Sequence, residues 1–222
     1  MGCPVGEVSR VNSFALVSYI PGPLGRFLDG LRRELVPACT AQSHVTILPP
    51  RTLDDPPDRG WREAGEILCG TQPLEIELRD VAVFPISQAI YLSIGDGYQD
   101  IERLHKHLNV GLLHSNEPFA FHPHVTLAQE VLPDQVEKVV EHARRRWREW
   151  AQSKRFVAER LVFVQNGVEV PTGYSQWIDL AQCDLGRPCE PWDWTDDGSL
   201  NRTSPFAPAP ASLVGRGGGG SR

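Results

Sequence analysis

The tripeptide His-Val-Thr occurs twice in this chain, beginning once at His44 and once at His124. Each copy lies in an apolar run rich in residues that favour β-strands. Side chains alternate between the two faces of a strand, so the histidine and the threonine two positions later face the same side. Two imidazoles that converge on one bound group can act as a general acid and a general base near neutral pH.

A phosphodiester is the substrate that best suits two such pairs. In-line attack at phosphorus needs a base at the entering oxygen and an acid at the leaving oxygen, on opposite sides. The hydroxyls of Thr46 and Thr126 are suited to stabilise charge on the equatorial oxygens. If His44 and His124 transfer the protons, neither a metal ion nor a cofactor is needed. The alternative interpretation is that these are ordinary, partly buried strand residues.

The elements around the two motifs predict an α+β protein with an antiparallel or mixed sheet. Apolar patterning predicts strands over residues 14–20, 44–48, 74–84, 89–94, 121–127, 156–164 and 175–180, the second of them closed by Pro49-Pro50. Helical spacing predicts helices over residues 24–37, 58–69, 98–108 and 133–150. Each motif follows a strand and a helix, as expected for two structurally related lobes.

From Leu185 onward the chain is rich in proline and glycine and poor in periodic apolar residues. We therefore predict a domain over residues 1–184, with one motif in each lobe, and a disordered tail over residues 185–222. The final Gly-Gly-Gly-Gly-Ser run has the composition of a flexible linker.

Composition narrows the cellular setting and the partners that we expect. A formal charge of -6 and a pI near 5.6 argue against extended, nonspecific binding to nucleic acid. The five cysteines are scattered and odd in number, which indicates reduced thiols. The chain has neither a secretory signal nor an apolar run of the roughly 20 residues that a membrane helix needs. We expect a cytoplasmic monomer that needs no membrane and no obligate protein partner.

The residues around both motifs resemble those of the two-histidine phosphoesterase superfamily, which includes bacterial 2′-5′ RNA ligase-like proteins and 2′,3′-cyclic phosphodiesterases. That superfamily carries a pair of His-x-Thr/Ser-x motifs with an apolar last position, matched here by residues 44–47 and 124–127. The sequence Phe-His-Pro-His-Val-Thr-Leu over residues 121–127 is similar to the second motif of the ligase-like branch. The resemblance covers approximately residues 13–181.

This resemblance implies a bilobal α+β fold with two sheets, in which the motifs face each other across a central groove. It also implies metal-independent cleavage of a 2′,3′-cyclic phosphate or a 2′-5′ bond in RNA or a nucleotide. His44 and His124 would be the acid/base pair, and Thr46 and Thr126 would bind the phosphate. The sequence does not assign the acid and the base between the two histidines.

Two other enzymatic functions and one non-enzymatic function stay open on the sequence alone. The chain could join RNA ends through a 2′-5′ bond, or it could open the cyclic phosphate of a nucleotide that is not RNA. A module that binds RNA ends without catalysis is the alternative of another class, although the two intact histidines argue against it.

A few other residues are weaker candidates for the site. Arg51 follows the first motif and could contact a substrate phosphate, or it could be an ordinary surface arginine. Tyr174 and Tyr91 could stack on a base, although ordinary sheet packing is the alternative for both. His122 shares strand parity with His124, but no third ligand follows at a useful spacing, so we predict no metal site. Three histidines in or after the third predicted helix are assigned to solvated or capping positions: His105, His107 and His114.

Overall fold

The structure is a computed structural model that describes residues 7–37, 39–170 and 175–187, all of which belong to one compact unit. Its strands are β1 (Glu7–Tyr19), β2 (His44–Arg51), β3 (Leu74–Val83), β4 (Ile90–Ile94), β5 (His124–Ala128), β6 (Arg155–Ala158), β7 (Arg160–Val170) and β8 (Ser175–Asp184). Its helices are α1 (Gly22–Leu35), α2 (Pro57–Leu68), α3 (Tyr98–Leu108) and α4 (Val136–Glu149), with one 3-10 turn at Gly111–Leu113.

The strands form two four-stranded sheets, in the orders β2-β1-β7-β8 and β5-β4-β3-β6. Every pairing is antiparallel, so the α+β prediction is confirmed and the sheets are not mixed. Each His-Val-Thr copy lies on an edge strand, β2 or β5. Strand β2 pairs with β1, and β5 pairs with β4; in each pair, one helix connects the two strands along the chain. The two lobes therefore repeat one strand-helix-strand unit.

The helices of the two units are exchanged between the sheets. Helix α1, which connects β1 to β2, packs against β5 of the other sheet, and α3 packs against β2. Leu24, Leu28 and Leu31 form the buried stripe of α1, at the spacing expected for one helix face. The edge strands β2 and β5 also contact each other. The two motifs are consequently held at the boundary between the sheets.

Aromatic packing fixes the outer face of the first sheet. Trp61 of α2 is 2% exposed, and its ring stacks on Phe163 of β7 at a centroid distance of 5.7 Å. Phe163 in turn stacks on Phe14 of β1 at 5.5 Å. Neighbouring residues of a strand face opposite sides of the sheet. Ala15, Val17 and Tyr19 of β1, which lies next to β2, therefore belong to the other face, called the inner face below.

Several strand boundaries differ from the sequence-based prediction: β1 begins at residue 7 rather than 14, β5 at residue 124 rather than 121, and β8 continues to residue 184. Strand β2 continues through Pro49 and Pro50 to Arg51, because an edge strand has N–H groups that need no partner in the sheet. The strand predicted over residues 156–164 is two strands, broken at Glu159. Strand β6 pairs with β3 and β7 pairs with β1, so the chain changes sheets at this residue. Apolar content alone does not reveal such a crossing.

The start of the predicted tail is attached to the domain. Leu185 is 5% exposed, and its N–H donates to the carbonyl of Glu159 at 2.8 Å. The N–H of Gly186 donates to the carbonyl of Thr71, also at 2.8 Å. The ordered domain therefore extends past residue 184, and the rest of the predicted tail, 188–222, lies outside the described residues. Across the described ranges, no helix has the length and apolar character needed to cross a membrane.

Gly97 sets the start of α3. It occupies the left-handed region at φ 86° immediately before the helix, a conformation that glycine adopts without a steric penalty. A Cβ at this position would lie 2.3 Å from the carbonyl oxygen of Glu75 on β3. Any other residue would therefore displace α3, and with it the helix face that packs on β2.

Candidate functional site

The two motif strands have the same pattern of burial. In both β2 and β5 the histidine and threonine are half-buried, while the valine between them is 0% exposed. This alternation is the one that strand geometry predicts. Each strand therefore directs one imidazole and one hydroxyl to the same face and buries Val45 or Val125 in the core.

The same backbone hydrogen bond orients both imidazoles. Nδ1 of His44 lies 2.7 Å from the carbonyl oxygen of Gln42, and Nδ1 of His124 lies 2.7 Å from that of His122. A carbonyl oxygen only accepts, so Nδ1 carries the proton in each ring. Neither Nε2 atom has a hydrogen-bond partner among the described residues. In the neutral form, each ring therefore presents an Nε2 lone pair that can bind a proton.

Both histidines favour the neutral form. Burial lowers the pKa of His44 to about 4; the charges of Arg32 and His124 act in the same direction, while the Gln42 carbonyl opposes them. Burial also lowers the pKa of His124, and the carbonyl of His122 opposes that change. His44 and His124 thus interact electrostatically, although they lie on edge strands of different sheets.

The threonine hydroxyls complete the symmetry of the candidate site. Thr46 and Thr126 are half-buried on the same strand faces as the histidines, and neither hydroxyl has a hydrogen-bond partner in the part of the chain that the structure describes. Hydroxyl groups can donate hydrogen bonds to the charged oxygens of a phosphate, and the imidazole nitrogens can exchange protons with it. Each threonine thus shares a strand face with its histidine, as the repeat predicts, and the two strands that carry them, β2 and β5, contact each other.

Arg32 and His105 link each exchanged helix to a motif strand. The guanidinium of Arg32 on α1 donates to the carbonyl oxygen of Thr126 in β5. Nδ1 of His105 on α3 donates to the carbonyl oxygen of Ile47 in β2 at 2.9 Å. Both residues are buried, at 7% and 5% exposure. These two hydrogen bonds fix the edge strands to helices of the other unit.

Sequence reasoning missed both links, and it was wrong to place His105 in a solvated or capping position. The available signal was helical spacing. Arg32 follows the buried residues Leu24 and Leu28 at intervals of four, and His105 follows Ile101 at the same interval. A charged or titratable residue on an otherwise apolar helix stripe indicates a buried polar partner.

Arg51 is buried beneath the first lobe. Its side chain is 2% exposed and forms an ion pair with Glu117 at 2.9 Å. The guanidinium also donates to the side chain of Asn109 at 2.8 Å and to the carbonyl oxygen of Leu113. These bonds fix the loop after α3 and give Arg51 a buried structural position, so it is not the surface arginine of the alternative interpretation; the contact with a substrate phosphate stays a prediction. Tyr174, the other weaker candidate, lies outside the described residues.

An aromatic cluster surrounds the second motif. The ring of Tyr91 stacks on Phe84 at 4.1 Å, and both meet His124 edge to face, at 5.4 and 4.9 Å. His122 contacts the same rings, and its Nδ1 lies 3.3 Å from the hydroxyl of Tyr98. Within the described ranges, no group of three or more histidine, cysteine or acidic residues is arranged to hold a metal ion.

Several solved structures share this architecture. E. coli LigT, solved with NADP+, superposes with a TM-score of 0.57 at 15% identity, covering 82% of this chain and all of LigT. The protein TT0787 of Thermus thermophilus superposes with a TM-score of 0.56 at 17% identity, covering 78% of this chain and 98% of that protein. At these identities the likeness shows the fold alone.

Curated bacterial sequences give a second line of comparison. "Putative phosphoesterase GK0864" of Geobacillus kaustophilus is 27% identical over 127 residues, which cover 53% of this chain and 69% of the relative. "Putative phosphoesterase OB1230" of Oceanobacillus iheyensis is 29% identical over 79 residues, so the match spans about half of that relative, 46%. The family model for the 2′-5′ RNA ligase superfamily matches residues 21–168, which contain both motifs, and the chain belongs to this superfamily.

Proposed function

We propose that this protein is a metal-independent phosphodiesterase that opens 2′,3′-cyclic phosphates, or cleaves 2′-5′ bonds, in RNA or nucleotides. The observation that carries the proposal is the matched pair of histidines. Each comes from an edge strand of a different sheet, donates Nδ1–H to its own backbone and leaves Nε2 without a partner among the described residues, and the two edge strands contact each other. Superfamily membership and the phosphoesterase names of the relatives support this chemistry.

In the proposed reaction, one imidazole removes a proton from water and the other protonates the leaving ribose oxygen. Water forms a new bond to phosphorus as the bond from phosphorus to O3′ breaks, which leaves a 2′-phosphomonoester. Thr46 and Thr126 donate to the equatorial oxygens, where charge accumulates. Each proton transfer is worth about 10²–10⁴-fold in rate.

The low pKa values of the histidines fit this scheme only with substrate bound. With a pKa of about 4, His44 is protonated in only about one molecule in a thousand at pH 7. A phosphodiester anion in the site raises the pKa of an adjacent imidazole, because opposite charge favours the protonated form. Substrate binding itself would then supply the single protonated ring that the reaction needs.

A substrate panel tests the proposal directly. The full chain is incubated with nucleoside 2′,3′-cyclic phosphates and with 2′-5′ and 3′-5′ dinucleotides, and ³¹P NMR locates the product phosphate. We expect turnover of a cyclic or 2′-5′ substrate, with a loss of about 10²–10⁴-fold in His44→Ala and in His124→Ala. Because the two rings act as a unit, the double variant should be little worse than either single variant. His107→Ala, which removes an exposed histidine of α3, is the matched control.

Two results would contradict the proposal. Binding of a terminal phosphate without turnover of any cyclic or 2′-5′ substrate would favour an RNA-end binding module. Turnover that survives loss of either histidine would place the chemistry elsewhere.

A further assay with two RNA fragments, one ending in a cyclic phosphate and the other beginning with a 5′-hydroxyl, measures 2′-5′ ligation. A substrate that is not RNA would appear as turnover of cyclic mononucleotides without activity on RNA ends.

A further inference from the structure

A cavity of about 390 Å³ opens beside His44. Its walls come from the inner face of the first sheet, with Val17 and Tyr19 of β1 and Trp177 and Asp179 of β8, and from the segment immediately before β2. None of its lining residues belongs to the second sheet or to the motif of His124. The candidate site is therefore asymmetric: the phosphate-binding groups are paired, while the cavity lies on one side only.

The size of the cavity limits what it can hold. Small-molecule sites occupy roughly 300–1,000 Å³, so this cavity lies near the lower end of that range. One nucleoside is an appropriate occupant, whereas several stacked nucleotides are not. Because His44 lines the cavity, a nucleoside in it could be joined directly to a phosphate bound at His44.

Trp177 provides an aromatic surface in this cavity. It is half-buried and packs against the cluster formed by Ala15, Val17, Val162 and Val164 on the inner sheet face. This apolar support fixes the ring, and a fixed aromatic ring is a suitable platform for a nucleobase. Stacking on such a ring contributes to binding whichever base is present.

Tyr19 and Asp179 form the polar wall. The Tyr19 hydroxyl donates to Oδ1 of Asp179 at 2.6 Å, across the sheet from β1 to β8. Burial, followed by the hydrogen bond to Asp179 and the charge of that carboxylate, raises the pKa of Tyr19, so the phenol stays protonated and donates. An ionised carboxylate only accepts hydrogen bonds, and Asp179 keeps acceptor capacity beyond the bond from Tyr19. The wall therefore favours an occupant that presents an N–H donor.

We infer that this cavity binds the nucleoside of the substrate, with its base on Trp177 and an amino group of the base donating to Asp179. The inference rests on the proposed function and specifies its substrate. Cytosine presents an amino group where uracil presents a carbonyl oxygen, and a carboxylate repels that oxygen. The protein should consequently prefer cytidine 2′,3′-cyclic phosphate to the uridine compound, and both to a cyclic phosphate without a base.

Steady-state kinetics with three substrates test this specificity: cytidine 2′,3′-cyclic phosphate, the uridine compound and ethylene phosphate, a cyclic diester without a base. We expect Trp177→Ala to lower kcat/KM for both nucleotides roughly tenfold more than for ethylene phosphate. Asp179→Asn should reduce the preference for cytidine over uridine about tenfold, because the amide nitrogen can donate to uracil. Trp150→Ala, which removes a tryptophan of the other lobe that stacks on Phe27, is the matched control.

Calorimetric binding of cytidine 2′-phosphate separates failure of this inference from failure of the proposed function. If the wild type turns over no substrate but binds this nucleotide, and Trp177→Ala does not, the cavity assignment stands and the phosphodiesterase proposal is wrong. Equal effects of Trp177→Ala on the nucleotides and on ethylene phosphate would overturn the cavity assignment while turnover continues. Absence of nucleotide binding to the wild type would overturn it as well.

Discussion

The burial of His44 predicts that this residue makes the stability of the fold depend on pH, beside other groups whose pKa burial lowers, such as His124. In the folded protein its pKa is about 4, whereas an unfolded chain has a histidine pKa of about 6.5. The unfolded state therefore binds more protons between these two values, and stability falls as the pH decreases from 6.5 towards 4. The contribution of His44 to stability is complete above pH 6.5, where its imidazole is neutral in both the folded and the unfolded state.

The size of this effect follows from the two pKa values. At pH 5 the difference in proton binding lowers the free energy of unfolding by about 2 kcal/mol relative to pH 7, and at pH 4 by about 3 kcal/mol. The His44→Asn variant lacks the titrating group and should not show this part of the loss. The wild type should thus lose about 2 kcal/mol more than the variant between pH 7 and pH 5.

Urea unfolding at pH 7 and pH 5, followed by tryptophan fluorescence, measures this difference. Thr46→Ala is the matched control, because it alters the same face of β2 without removing a titrating group. Its pH dependence should parallel that of the wild type. Equal losses for the wild type and His44→Asn would show that burial does not hold His44 in its neutral form.

Three further perturbations have defined outcomes. Arg51→Met removes the buried ion pair with Glu117, which keeps its contact with His105, and the bonds to Asn109 and Leu113; it should lower the free energy of unfolding by about 3–5 kcal/mol in urea titrations. Arg32→Met removes the hydrogen bond to the Thr126 carbonyl; stability should fall by about 1–3 kcal/mol, and kcat for a cyclic phosphate should fall with it. Hydrolysis should persist after dialysis against EDTA because imidazoles transfer the protons; zinc-restored activity would instead indicate a metal at His122 and His124.

The sequence predicted those parts of the fold that depend on local pattern. Strand alternation correctly predicted that His44 and Thr46 share a face, because that geometry involves only neighbouring residues. The spacing of Leu24, Leu28 and Leu31 likewise predicted α1. The α+β class followed from the order of the elements, and the structure confirms it.

The parts that the sequence did not predict depend on contacts between distant segments. The crossing of the chain between sheets at Glu159 depends on which strands β6 and β7 find as neighbours. The cavity beside His44 needs β8 to lie two strands from β1, so that Asp179 reaches Tyr19 over 160 positions of sequence. Residue type at either position gives no sign of this meeting.

The exchange of α1 and α3 between the two sheets has a consequence for fragment complementation. Residues 85–88 form an exposed turn between β3 and β4, and a break there places one His-Val-Thr copy on each fragment. Neither fragment alone contains both the helix and the edge strand that pack together, since α1 belongs with β5 and α3 with β2. Folding and the assembly of the paired imidazoles would then become a single bimolecular event, as a split reporter requires.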